Sequence, residues 1–233
     1  MMLRAPRATS GPLSSARAGT TRVSAKKEKS PAGSLVELVA IVAVALGLAL
    51  GIQALLVKPY QIPSKSMVPT LIVGQRVLVN RIGERFSEPQ IGDVIVFHPP
   101  AAATDDQPGF SGDSKCGVEP QEGAACPQPV SRRSNDNFIK RVVAGPGDTL
   151  AVVDGHVVRN GKRRAEPFVQ ERCEGGLSAN FPEPIRIPAG HWFMMGDNRE
   201  CSEDSRFWGP VPAKWIIGGA FATYWPPKRV GLL

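Results

Sequence analysis

Two serines, two lysines and one polar loop are the residues of this chain whose types and spacing could carry covalent chemistry. Ser64 and Ser66 lie two apart in Pro63-Ser64-Lys65-Ser66-Met67-Val68-Pro69-Thr70-Leu71. Serines flanked by prolines are common turn formers. A serine hydroxyl also becomes a nucleophile once a neighbouring group takes its proton. A candidate for that group lies in Phe138-Ile139-Lys140-Arg141-Val142-Val143-Ala144-Gly145-Pro146-Gly147-Asp148. In an apolar strand Lys140 and Arg141 must point to opposite faces, so one of them is directed inward. Burial penalises the ammonium form, and a neutral lysine is a base; an isolated buried lysine can equally be a snorkelling or paired side chain. The third segment runs from Gly196 to Pro212 and crowds Asp197, Asn198, Arg199, Glu200, Cys201, Ser202, Glu203, Asp204, Ser205 and Arg206 ahead of Phe207, Trp208 and a Gly-Pro stop. A merely solvated loop has no use for that aromatic pair, which points to a structured site. Ile91-Gly92-Asp93-Val94-Ile95-Val96-Phe97 reads as a turn feeding a buried strand.

The elements that must position these residues are mostly strands. Short apolar runs bounded by turn residues recur at Arg76–Asn80, Asp93–His98, Phe138–Ala144, Asp148–Val153, His156–Asn160, Trp192–Gly196 and Trp215–Tyr224. Asp154-Gly155 and Asn160-Gly161 are the dipeptides that supply the positive φ angles of tight hairpins. With 24 Gly and 22 Pro among 233 residues, an all-α fold is not expected. Between Pro99 and Asn137 a stretch rich in proline and glycine is long for a plain connection and reads as a peripheral insertion.

Charge is uneven along the chain. Residues 1–33 carry seven basic side chains and one acid, a net of +6, whereas from Lys58 onward the balance is only +2. No broad basic field remains for nucleic acid, and no nucleic-acid partner is expected. Between Glu37 and Lys58, residues 38–57 hold no charge and only Gln53 as a strongly polar side chain. As a helix that run measures about 30 Å, the thickness of a bilayer's hydrocarbon core, and reads as one transmembrane helix. It is longer than a signal-peptide apolar region, and Lys58-Pro59-Tyr60 stands where a cleavage site should lie, so an uncleaved anchor is expected. The basic residues 1–33 then form a disordered cytoplasmic tail, and residues 58–233 face outward. A plasma-membrane location is expected; the Ser, Ala and Arg content of residues 1–33, shared with organelle transit peptides, makes an organelle membrane the alternative.

Cys116, Cys126, Cys173 and Cys201 would lie on the side where disulfides persist. They contain no C-x-x-C pair, so a metal site is not expected. Cys116 and Cys126 could close one loop; a bridge between Cys173 and Cys201 is permitted by the sequence without being indicated by it.

In the order PSKSMVPTL, GDVIVF, FIKRVVAGPGD and GDNRECSEDSRFWGPVP, behind one spanning helix, the chain resembles type I signal peptidases, membrane-anchored serine–lysine endopeptidases. The resemblance implies a mainly β fold: a largely antiparallel β catalytic domain with a variable β-rich subdomain. Either the 99–137 insertion or the region around 163–184 would belong to that subdomain. It further implies removal of signal peptides from exported preproteins after small residues, Ala-x-Ala in type, by a monomer at the lipid bilayer without cofactor. Residue by residue, Ser66 corresponds to the nucleophile and Lys140 to the general base. Ser64, with the Ser66 backbone N–H, corresponds to the oxyanion hole, and Ser202 to the serine that orients the lysine. Arg141, Asp204 and Arg206 correspond to structural ion pairs. Ile62, Met67, Leu71, Phe138 and Ile139 match or neighbour substrate-pocket positions, though each suits an ordinary core equally well. Lys65 adjoins the nucleophile, but neighbouring side chains of an extended segment diverge. Trp208, Trp215 and Trp225 could form an aromatic skirt at the lipid surface.

Rival readings remain at this point. Ser66 could work with His98, His156 or His191 and an acid, although none of the three has a recognisable triad context. The same serine–lysine chemistry could serve self-processing or a regulatory protease. A membrane-tethered binding module would need none of it.

Overall fold

The computed structural model describes residues 31–81, 88–104, 115–169, 173 and 176–233. Residues 1–30 of the expected basic tail, and 105–114 of the expected insertion, lie outside the described residues. Helix α1 spans Pro31–Leu56, so residues 31–33 are helical rather than part of a disordered tail. Proline is favoured at a first helical position, where its missing N–H costs nothing. The helix ends one residue before the expected boundary, because Val57 already pairs as a strand. The chain divides into two compact units, up to Leu46 and from Gly47 onward. In the first, the described apolar side chains Leu35, Val36, Leu38, Val39, Ile41, Val42, Val44 and Leu46 are all exposed. Side chains of α1 are described only for 35–51 and 56; among the described residues no helix is long and apolar enough to cross a membrane.

The second unit is mainly antiparallel β. Its strands are β1 (Val57–Gln61), β2 (Arg76–Asn80), β3 (Val94–Phe97), β4 (Phe138–Ala144), β5 (Thr149–Val153), β6 (His156–Arg159), β7 (Lys162–Arg163), β8 (Phe181–Arg186), β9 (His191–Met195), β10 (Val211–Pro212), β11 (Ile216–Trp225) and β12 (Gly231–Leu232). One short helix, α2 (Ser205–Trp208), follows β9. The larger sheet runs β1-β2-β11-β3-β4-β9-β10 with β12 added to β11; the smaller runs β7-β6-β5-β8. The two expected hairpin turns are present: Asp154 and Gly155, then Asn160 and Gly161, all take positive φ.

The apolar residues divide by face as strand alternation requires. One cluster joins Ile62, Met67 and Leu71 to Val77, Val79, Val94, Val96 and Ala220. A second joins Ile95, Phe97, Val142, Trp192, Met194, Trp208, Val211 and Trp215. A third lies at the smaller sheet around Leu150, Val152, Val157, Ile185 and Phe193, and includes Ala124 and Ala125. The described part of the 99–137 segment therefore supplies core, and a disulfide between Cys116 and Cys126 closes it. Trp208 and Trp215 are core residues and not an exposed skirt; only Trp225 of the three is exposed.

Candidate active site

Ser66 sits in a turn that its own neighbours make. The Val68 N–H donates to the Lys65 carbonyl at 3.1 Å and the Leu71 N–H to the Met67 carbonyl at 2.8 Å. Met67 and Leu71 are fully buried and pin this turn to the sheet, which draws Ser66 in to 6% exposure. Ser64 and Lys65 stay exposed. The Ser64 and Ser66 hydroxyl oxygens are 3.2 Å apart. Lys65 is thus solvent-exposed while the neighbouring Ser66 is buried, in a turn and not the extended segment expected.

Lys140 arrives on β4. It lies opposite Ile95 of β3, and on the other side Arg141 pairs with Met195 of β9. Gly196 follows directly beyond the end of β9. Gly196 has no room there. A Cβ would overlap the Ser202 side chain and the Ser66 carbonyl oxygen. Three separate parts of the sequence meet at this glycine: the Ser66 turn, the Lys140 strand and the Ser202 loop. Asn198 ties the first to the third, its backbone N–H donating to the Ser66 carbonyl at 3.1 Å and its side-chain amide to the Lys65 carbonyl at 3.4 Å.

Lys140 is 4% exposed. Burial pushes its ammonium down to about 8; Asp204, Glu203 and Asp197 oppose the shift, and Arg206 adds to it. The Ser202 hydroxyl is fully buried and has no hydrogen-bond partner among the described residues. An unpaired buried hydroxyl costs about 1–3 kcal/mol, which marks this one as reserved for another group. Among the described residues no hydrogen bond links Lys140 to Ser66. Catalytic hydrogen bonds are often long in free enzymes and tighten with substrate in place.

Two ion pairs frame the site, and they divide differently from the expected cluster. Asp204 takes the Arg206 Nε at 2.8 Å and Nη2 at 2.9 Å, and accepts the Gly196 N–H at 3.0 Å. Burial alone would push Asp204 up, but Arg206, Lys140 and the Gly196 N–H hold it below the ordinary carboxylate range. Arg141 turns away from Asp204 and forks onto Asp197, at 2.8 and 2.7 Å, where Thr70 also donates at 2.5 Å. Arg199, buried, pairs with Glu166 at 2.6 Å. Asp197, Thr70, Asn198 and Glu166 were not singled out by the sequence. Several acids share one loop, and nothing in the order of letters says which of them meets a strand arginine. Ser205 is another such residue: its hydroxyl accepts the Met194 N–H at 3.0 Å.

Of the expected pocket residues, Ile62, Met67, Leu71 and Ile139 are brought together in one cluster, while Phe138 packs into the neighbouring one. The histidines lie elsewhere. His98 meets the Asp136 carbonyl at 2.9 Å, His191 the Ala189 carbonyl at 2.8 Å, and His156 lies 3.8 Å from Glu166.

Residues 35–225 match the family model described as signal peptidase, peptidase S26. The chain belongs to the signal peptidase S26 family. It is a serine endopeptidase, a hydrolase. The S26 chain is 35% identical over 199 residues to signal peptidase I of Leptolyngbya laminosa, covering 85% of this chain and 84% of that one. It is 36% identical over 176 residues to thylakoidal processing peptidase 1, chloroplastic, of Arabidopsis thaliana, covering 75% of this chain and 44% of that one. It is also 34% identical over 236 aligned residues to signal peptidase I of Pseudomonas aeruginosa, covering 81% of this chain and 72% of that one. Both bacterial signal peptidases and a chloroplastic thylakoidal processing peptidase are thus among its relatives.

Proposed function

We propose that this chain removes N-terminal signal peptides from exported preproteins with a Ser66–Lys140 dyad, cutting after small residues of the Ala-x-Ala type. The observation that carries the reading is the buried Lys140, whose amine burial holds to about 8, beside a Gly196 against which the Ser66 turn and the Ser202 loop close. Lys140 Nζ takes the proton of the Ser66 hydroxyl as Ser66 Oγ attacks the scissile carbonyl. The resulting oxyanion receives the Ser64 O–H and the Ser66 backbone N–H, donors worth about 3–4 kcal/mol each in comparable sites. Lys140 then protonates the departing amine, and in the second half it deprotonates the water that releases the acyl-enzyme. Ser202, with its hydroxyl unspent, accepts from or donates to Lys140 and orients it. Arg141, Asp204 and Arg206 hold the loop and take no part in the proton transfers.

Ile62, Met67, Leu71, Phe138 and Ile139 are read as the walls of small apolar pockets that accept Ala or Gly before the cut; an extended chain would add itself beside a strand. Helix α1 is read as a single membrane anchor, its 26-residue backbone long enough for a bilayer's hydrocarbon core and its described large apolar side chains from Leu35 to Leu50 exposed. The basic tail sets the N-terminus on the cytoplasmic side and residues 58–233 outside. The enzyme works as a monomer on preproteins delivered at the lipid surface of the plasma membrane. The test is incubation of detergent-purified protein with a preprotein carrying Ala-x-Ala, followed by mass measurement of the product. Cleavage after the final Ala, abolished by replacing that Ala with Phe, is expected; cleavage elsewhere, or indifference to Phe, contradicts the reading.

A further inference from the structure

The loop that carries Ser202 is tethered to a segment far from it in sequence, and the tethers are concentrated just before Ser202. Cys201 is joined to Cys173 by a disulfide. The neighbouring Glu200 accepts the Cys173 N–H on its carboxylate at 2.8 Å and the Leu177 N–H on its carbonyl at 2.8 Å. Gly176 approaches Glu200 so closely that a Cβ would overlap the Glu200 side chain. One residue earlier, Arg199 is held by Glu166. On the far side, Arg206 fixes the backbone by donating to the Ser202 carbonyl at 2.8 Å and to the Arg199 carbonyl at 2.5 Å. Yet the Ser202 hydroxyl itself has no partner among the described residues. Its place against Gly196 is therefore set by the backbone, and the covalent bond lies at the adjacent residue. Cys173 and Cys201 are both partly exposed, within reach of a small thiol.

We infer that the Cys173–Cys201 disulfide is a positioning device for the reaction: it holds the Ser202 hydroxyl in line with Lys140, so that catalysis depends on this bridge being closed. The inference rests on the Ser66–Lys140 reading and deepens it. A small dithiol opens the bridge by thiol–disulfide exchange: the reagent's two thiols are oxidised to its cyclic disulfide, and Cys173 and Cys201 each become a thiol. With the brace released, water reaches Lys140 and its desolvation relaxes. The charged groups facing Lys140 are Asp204, Arg206, Glu203 and Asp197. Three of the four raise its ionisation, so once burial no longer opposes them the amine drifts upward and is less often neutral near pH 7.

The test compares oxidised wild type, wild type reduced with dithiothreitol after folding, and Cys173→Ala/Cys201→Ala. Each is assayed for kcat and KM across pH on an Ala-x-Ala preprotein, with Ser66→Ala as blank. The Lys140 ionisation is read separately by NMR of 15N-lysine-labelled protein. Expected are a fall of about tenfold in kcat at pH 7 with KM within about twofold, the sort of loss that misplacement of a catalytic group brings, together with an upward shift of both the acid limb and the NMR titration. Reoxidation restores wild type, and dithiothreitol does nothing further to the double variant, which separates this bridge from Cys116–Cys126. Unchanged kcat and unchanged Lys140 titration, with mass spectrometry showing Cys173 and Cys201 reduced, overturns the inference. So does a loss of activity that reductant also causes in the double variant. If oxidised wild type does not cleave, the proposed function fails while the NMR comparison still decides whether the bridge governs Lys140.

Discussion

Gly196 and Ser202 meet so closely that the hydroxyl of the serine fills the space where a side chain on the glycine would begin. Ser66 lends its carbonyl to the same spot, and Gly196 directly follows β9, the strand that pairs with the Lys140 strand. Glycine is needed here for the close approach, because the Ser202 side chain and the Ser66 carbonyl already occupy the volume of the missing methyl group.

Gly196→Ala is therefore expected to act on activity more than on folding. Overpacking a close contact costs about 1–3 kcal/mol, a fall of a few degrees in Tm. Relieving that overlap must displace Ser202 and the Ser66 backbone by about an ångström at the reacting centre, which should lower kcat by about 10²-fold. Thermal melting beside steady-state kinetics checks both; wild-type kcat in the folded variant would contradict the packing described.

The pH profile carries a sign. A general base must be neutral to accept a proton, so kcat/KM should be low in acid and rise with an apparent pKa of about 8, well under the ordinary lysine value of 10.5. A profile flat from pH 6 to 9, or one still rising through pH 10, would count against Lys140 as the base.

Lys140 also weakens the fold. Its ammonium is favoured in the unfolded chain, so between about pH 8 and 10.5 the unfolded state binds more protons, and stability rises with pH in that window. Below pH 8 the full cost is present. Lys140→Met, similar in shape and uncharged, should be inactive yet more stable than wild type at pH 7 by about 1–3 kcal/mol, reading a pKa displacement as free energy. Denaturant unfolding of the two proteins measures the difference.

Much of this frame was legible in the sequence. Arg76–Asn80 and Phe138–Ala144 coincide with the strands expected from their β-branched runs, and the two Gly-containing dipeptides turn as hairpins should. β1 and β8 were missed because VKPYQ and FPEPIR carry prolines, which argue against a central strand. Both lie at sheet edges, where a missing N–H costs no ladder bond. The order of four motifs singles out Ser66 and Lys140, and both side chains are buried. The partner of Arg141 was not legible: choosing Asp197 over Asp204 depends on where β9 ends, a tertiary fact with no local signal. The tryptophans misled for a similar reason, since residue type alone does not separate the buried Trp208 and Trp215 from the exposed Trp225.

Breaking one partner of a buried pair leaves the other uncompensated. Asp197→Ala, which strands Arg141 and frees Thr70 beside the Ser66 turn, is expected to cost about 3–5 kcal/mol. Asp204→Ala should cost a similar amount through Arg206. Because Asp204 is held below the ordinary carboxylate range, its contribution is complete above that range and is lost as pH falls through and below it. Acid unfolding should therefore be less steep in Asp204→Ala than in wild type.

The central claim is that Ser66 attacks and Lys140 takes its proton. Cleavage rates of one Ala-x-Ala preprotein should be compared for wild type, Ser66→Ala, Lys140→Ala and Lys65→Ala, each shown to be folded by its melting curve. The account predicts that wild type and Lys65→Ala cleave at rates within about threefold, while Ser66→Ala and Lys140→Ala lose about 10³-fold or more, the scale of nucleophile and base removal. Cleavage that survives in Lys140→Ala but vanishes in Lys65→Ala would contradict it and move the base to the exposed lysine beside the nucleophile.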